Sequence, residues 1–250
     1  MVKIKYRLST ISSLIASPRS NLAWYKELDQ FSDLKTDNKK LKEHLSVIYP
    51  FYQYGEYEKW SSSANYYLPG STVKGAIRGN ISHDNNLMVD DIQIPNEFIV
   101  LRNLQKVQYL EKPGKAELKV FLDNVGVEMV KAKTDLNGEL YIKDAGYVQE
   151  LIKQANHAAN NKMKQMSKYL STLCEGDYSD ELKVVLRKSM DGLESLIQDN
   201  DVILLGGYKG LLHSLNFNGS LPSDVKACGA VYLDPETNLH HGLARLTILS

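Results

Sequence analysis

Cysteine is scarce in this chain: Cys174 and Cys228 are the two present in 250 residues. Two thiols build neither a disulfide framework nor a four-ligand zinc site, and they fit a reducing, cytoplasmic setting. An excess of charge is missing as well, because Lys plus Arg and Asp plus Glu each number 30. A free-standing nucleic-acid binder usually carries a basic surplus, so any RNA would be held on a local cationic face and shared with other subunits. No apolar run reaches membrane-spanning length, and the opening MVKIKYRLSTISSLIAS lacks the continuous apolar stretch of a signal peptide. A Walker A loop is absent too. Gly70 and Gly75 have its separation, but Lys74 precedes Gly75 and no Lys-Ser or Lys-Thr pair follows. No internal repeat with a period of about 20–50 residues stands out.

What is present is a strand-rich pattern around a helical middle. Val2 to Ile11 alternates, with Ile4, Tyr6 and Leu8 on one face of a first strand. Between Glu27 and Ile48, apolar Leu28, Phe31, Leu34, Leu41, Leu45 and Ile48 recur at helical spacing. They predict two short helices, or a helix and a loop, interrupted near Thr36–Asn38. Strands are predicted over Met88–Ile94, Phe98–Leu110 and Lys115–Val130, with a turn at Pro113-Gly114. Asn137-Gly138 reads as a hairpin turn between Lys131–Thr134 and Glu139–Ile142. Helices follow over Ala145–Tyr169 and Ser179–Gln198, the second capped by Ser179. Val202–Leu205, Lys226–Leu233 and Leu243–Leu249 close the chain as strands. The pattern predicts an α+β fold in three parts: residues 1–144, a helical insertion at 145–200, and a C-terminal part at 201–250 that completes the fold.

The segment Leu68–Gly79, LPGSTVKGAIRG, carries the chemistry. A Pro-Gly turn, two hydroxyls and the cations Lys74 and Arg78 gather at a predicted helix N-terminus, where amides and the helix dipole favour phosphate. A second glycine segment, Leu204–Leu215, offers Gly206, Gly207 and Gly210 for close backbone approach, with Tyr208 and Lys209 at its tip. His213 and the His240-His241 pair are candidates for a metal-independent ribonuclease, although surface or structural roles are commoner for such residues. Asp90 and Asp91 could bind a cation, but adjacent acids at a strand start usually face opposite sides, so they read as ordinary turn residues. The aromatics from Phe51 to Trp60, with Tyr66 and Tyr67, suit either base stacking or a core or subunit interface. Lys162, Lys164 and Lys168 suit either an RNA backbone or a solvated helix face.

Pro69 to Arg78 resembles the Pro-Gly-Ser-Ser-x-Lys-Gly-x-x-Arg signature of RAMP-superfamily proteins in type III CRISPR effector complexes, with Thr72 in place of the second Ser. Gly206 to Gly210 resembles that family's C-terminal glycine-rich loop. The first strand with Ser12-Ser13-Leu14-Ile15 is similar to the family's opening, without its His-x-Gly. The likeness is greatest to the Csm group, and within it to the subunit that caps the filament near the 3′ end of the guide RNA. It implies a ferredoxin-like (RRM-like) fold of one or two modules with helical insertions. It also implies RNA contacts at Gly70, Ser71, Thr72, Lys74, Gly75, Arg78, Gly206, Gly207, Lys209 and Gly210. The implied partners are crRNA, target RNA and the other subunits, with no cofactor, metal, membrane or small-molecule substrate. The implied role is support of crRNA maturation, target binding and antiviral defence. A crRNA-processing endoribonuclease, a backbone subunit of the same superfamily and a protein-interaction scaffold are the alternatives. The backbone subunit cuts target RNA with an Asp in the loop after its first strand. Here that loop reads Ser17-Pro18-Arg19-Ser20-Asn21, and the nearest acids, Glu27 and Asp29, fall in a predicted helix, so no slicing role is expected.

Overall fold

Alternating burial along β1 (Val2–Thr10) turns Tyr6 and Leu8 inward and sets this strand at the centre of a five-stranded antiparallel sheet. The computed structural model describes the chain except residues 19–21, 30, 32–33, 35–38, 62, 79–86, 111–114, 175–178, 207–229 and 250. β1 is flanked by strands from distant parts of the chain, Asp135–Ile142 on one side and Leu243–Leu249 on the other. In chain order the strands are β2 (Trp24–Tyr25), β3 (Val47–Tyr49), β4 (Tyr66–Leu68), β5 (Met88–Val89), β6 (Ile92–Ile94), β7 (Ile99–Arg102) and β8 (Leu104–Leu110). They continue with β9 (Lys115–Phe121), β10 (Val125–Val130), β11 (Asp135–Ile142), β12 (Val202–Leu204), β13 (Ala230–Leu233) and β14 (Leu243–Leu249). The helices are α1 (Lys26–Asp29), α2 (Lys39–His44), α3 (Gly70–Arg78), α4 (Tyr147–Cys174) and α5 (Asp180–Ile197). The sheets run β12-β14-β1-β11-β5, β2-β3-β10-β7, β13-β8-β9 and β4-β6, which makes the fold α+β.

Three expectations are corrected. Ile48 lies in β3 and not in a helix: it pairs in parallel with Gly126 and is fully buried. The spacing of Leu41, Leu45 and Ile48 brings all three into one apolar cluster, although the helix ends at His44. Asn137-Gly138 forms no turn. Both sit inside β11, opposite Arg7 and Tyr6. The reversal comes earlier, where Lys133 adopts φ 59° and Thr10 Oγ1 donates to Lys131 O at 2.7 Å. Glycine is needed at 138 because a Cβ there would lie 2.4 Å from Tyr6 Cζ. The two long strands expected on either side of Pro113-Gly114 are each broken as well. Asn103 separates β7 from β8, and its Nδ2 donates to Asp123 O and Val125 O at 3.1 and 2.7 Å. Leu122, at φ 57°, opens the matching break between β9 and β10. The ladder thus bends and passes from one sheet to another. The Pro113-Gly114 turn itself lies outside the described residues.

The helical middle behaves as its periodicity predicts. Ser179 Oγ accepts from Leu182 N at 3.3 Å and caps α5. α4 continues past Tyr169 because Leu170 and Leu173 keep its apolar face buried. Its first turns, with Val148, Leu151 and Ile152, pack in the core that also holds Tyr6, Leu8, Val73 and Ile77. Its later turns, through Met163, Met166 and Leu170, pack with Leu186 and Leu193 of α5. Burying each such side chain stabilises the fold by about 1.5–3 kcal/mol.

Candidate nucleic-acid interface

β4 delivers the chain to α3 through Pro69 alone. Tyr66 and Leu68 point inward, and so do Gly70, Val73 and Ile77 of α3. Gly70 makes a close approach, since a Cβ there would fall 2.0 Å from Val89 O. Its N–H donates to Asp91 Oδ1 at 2.7 Å. Asp91 is therefore more than a turn residue: it occupies the first amide of α3, where a carboxylate complements the helix dipole. Asp90 accepts from the Tyr141 hydroxyl at 3.1 Å. The expected row of amides at this corner is thus partly satisfied within the chain, and Gly70 serves packing.

Among the described residues, another face of α3 is partly exposed. Ser71 and Gly75 are exposed, with Thr72, Lys74 and Arg78 half-buried beside them. Ser71, Lys74, Gly75 and Arg78 follow the three- and four-residue spacing that puts side chains on one helix face. Among the described residues, nothing lies within 4 Å of the place a Cβ would take at Gly75. Glycine inside a helix costs about 0.5–1 kcal/mol relative to alanine, and no packing within the described chain requires it here.

α3 packs beside β12, the strand that leads into the second glycine segment. Gly206 has φ 77°, and a Cβ there would meet Ile15 O at 2.2 Å. Gly206 therefore fits the chain against the segment that follows β1, at Ile15. Gly207, Tyr208, Lys209, Gly210 and His213 lie outside the described residues.

His240 and His241 are buried, with 2% and 1% of their surface exposed. Ser13 Oγ and His241 Nδ1 are 2.8 Å apart, and Ser13 N donates to Asp234 Oδ2 at 2.9 Å. Ser12 Oγ donates to His240 O at 2.6 Å and accepts from Leu243 N at 3.0 Å. Arg102 stands 3.6 Å from the fully buried Asp234. Burial pushes the His241 imidazole down to about 4, although Asp234 opposes the shift. This polar knot joins the residues after β1 to those before β14. The sequence singles out Ser12-Ser13 and His240-His241, but not their joining with Asp234 and Arg102, because these partners are far apart along the chain.

Glu128 was missed for a different reason: it sits in the middle of β10, which is buried throughout. Its carboxylate accepts from Tyr66 Oη at 2.6 Å and from Phe51 N at 3.0 Å. Burial raises it to about 7 even though these hydrogen bonds pull the other way. It lines a cavity of about 350 Å³ with Leu34, Trp60, Tyr66, Asn96 and Glu97, an acidic and apolar lining unsuited to phosphate.

The aromatic segment divides. Phe51 and Tyr66 belong to the core, and Trp24 stacks on Tyr57 at 6.2 Å in a satellite cluster. Tyr52, Tyr54 and Tyr67 form a separate group nearer the surface, with Tyr54 and Tyr67 stacked at 4.2 Å and 17°. On α4, Lys164 and Lys168 are exposed, while burial lowers the half-buried Lys162.

No known family model matches the sequence, and no curated protein matches it either. The fold is similar to one chain in a cryo-EM structure of a Csm–crRNA–target RNA ternary complex from a type III-A CRISPR-Cas system. The TM-score is 0.55 at 10% sequence identity, and the match covers 98% of this chain and 100% of that one.

Proposed function

We propose that the chain is a non-enzymatic RNA-binding subunit of a type III-A CRISPR ribonucleoprotein, placed near the 3′ end of the guide RNA. There it supports crRNA maturation, target RNA binding and antiviral defence in the cytoplasm. The observation that carries this reading is the outer face of α3, where Ser71, Lys74 and Arg78 surround an open Gly75. A glycine where the described residues leave space suits the close approach of a ligand backbone. Hydroxyl and cationic neighbours suit a phosphate backbone. Such contacts hold RNA in register without reading its bases, as a protein serving any guide sequence requires. Asp91 at the first amide moves the grip along the helix, away from Gly70 and toward Lys74 and Arg78.

The whole-chain likeness to a chain of a Csm–crRNA–target RNA complex supports the same assignment. Burial of His240 and His241 favours a non-enzymatic role over guide processing, since neither imidazole is presented to a 2′-hydroxyl. The test is reconstitution of the complex with Lys74→Ala and Arg78→Ala combined. Guide-RNA occupancy should fall, the guide's 3′ ends should become heterogeneous, and the slope of log affinity against log salt should drop by about one per cation removed. Unchanged occupancy and an unchanged salt slope would sink the assignment.

A further inference from the structure

We propose that Tyr54 and Tyr67 form a stacking platform for a nucleobase of the single-stranded RNA whose backbone α3 holds. This rests on the RNA-binding reading above and adds a base-contacting site to it. The alternation of β4 turns Tyr66 and Leu68 inward, so Tyr67 faces outward. Tyr54 is 52% exposed and stacks on Tyr67, with Tyr52 on the same ring at 5.7 Å. Tyr54 is held in place by its backbone, whose N–H donates to Asn65 O at 2.9 Å, and Tyr67 N donates to Tyr52 O at 3.0 Å. These bonds fix the backbone under the rings, and the rings pack on one another.

The platform adjoins the phosphate grip. Tyr66 and Leu68 share one core with Val73 and Ile77, so the outer faces of β4 and α3 both look away from that core. Asp91 links the two: it accepts the Gly70 N–H and also interacts with the Tyr54 hydroxyl. Slight desolvation and the Asp91 charge hold the Tyr54 hydroxyl above its ordinary value, so the ring stays neutral. A helix rises ~1.5 Å per residue, which sets Lys74 and Arg78 ~6 and ~12 Å along the axis from Gly70.

The surroundings favour a base over a protein partner. Polar and exposed Asn65, Asp91 and Gln93 rim the rings, where the core of a protein interface would be apolar. Every base has a π-face, so stacking accepts any sequence. That matches a phosphate grip that is itself blind to sequence.

The test measures binding of the full chain to a fluorescent single-stranded oligoadenylate and to an abasic ribose-phosphate oligomer of equal length. Tyr54→Ala and Tyr67→Ala should each weaken oligoadenylate binding about tenfold. The salt slope and the abasic affinity should not change. Tyr54→Phe and Tyr67→Phe keep the ring and should bind like the wild type, which separates stacking from misfolding. Lys74→Ala should weaken both oligomers and flatten the salt slope. If the Ala variants bind oligoadenylate normally while Lys74→Ala still loses it, the platform is wrong and the RNA reading stands. A wild-type chain that binds neither oligomer, alone or in the complex, overturns both. Loss of a neighbouring subunit with RNA affinity intact makes the rings a protein contact and overturns the platform.

Discussion

The ring of Tyr6 lies over Gly138, its cross-strand partner, so closely that a Cβ at 138 would sit 2.5 Å from the phenol oxygen. Gly138→Ala is therefore expected to destabilise the fold by about 1–3 kcal/mol, although alanine normally improves on glycine in a strand. Urea denaturation checks this, and an unchanged midpoint would mean the buried ring can yield. Tyr6→Phe should be neutral or stabilising by up to ~1 kcal/mol, because the buried hydroxyl has no hydrogen-bond partner among the described residues.

Two buried groups make stability depend on pH in opposite senses. Glu128 is raised from 4.5 to about 7, so the folded state holds its proton more tightly and stability falls as pH rises across that interval. His241 is lowered from 6.5 to about 4, so stability falls as pH drops across that interval. Each contribution reaches up to ~3 kcal/mol. The wild-type urea midpoint should be nearly flat where the intervals overlap. Glu128→Gln should leave a profile that climbs with pH, and His241→Asn one that descends. Variants that both keep the wild-type shape would show that neither group titrates as described.

Gly75→Ala should separate stability from binding. The site is open, so alanine should stabilise α3 by about 0.5–1 kcal/mol. The same methyl would stand where RNA approaches and should weaken guide binding several-fold. Thermal melts paired with filter binding read both effects. A variant that gains stability and binds equally well would remove Gly75 from the interface.

Gly206→Ala should act in the opposite direction on stability. Its φ of 77° and the 2.2 Å overlap with Ile15 O penalise a side chain twice. A loss of about 2–4 kcal/mol is expected from combined backbone strain and overpacking. A melting temperature equal to the wild type would show that the Ile15 segment moves freely.

Periodicity and capping revealed β1, α4 and α5, because each writes its burial pattern into neighbouring residues, and turn chemistry with the Pro69–Arg78 signature revealed α3. It failed at Gly138, where a glycine that serves a ring from another strand looks like a turn former. It failed again at Asp91, whose partner amide at Gly70 is 21 residues away. Glu128 was hidden by apolar neighbours, and the Ser13–His241 contact spans 228 residues. Local propensity is legible in sequence. Long-range polar pairing depends on how the chain closes, and no single window contains both partners.

The polar knot between Ser12 and Leu243, 231 residues apart, also has a bearing on biosynthesis. During translation β1 emerges well before its β14 neighbour at Leu243–Leu249. Until β14 is made, one side of the central strand has unpaired amides, a template for errant strand addition. Closing so long a loop is slow. Sheltering of this edge by a chaperone or by an already assembled neighbour should therefore raise its yield.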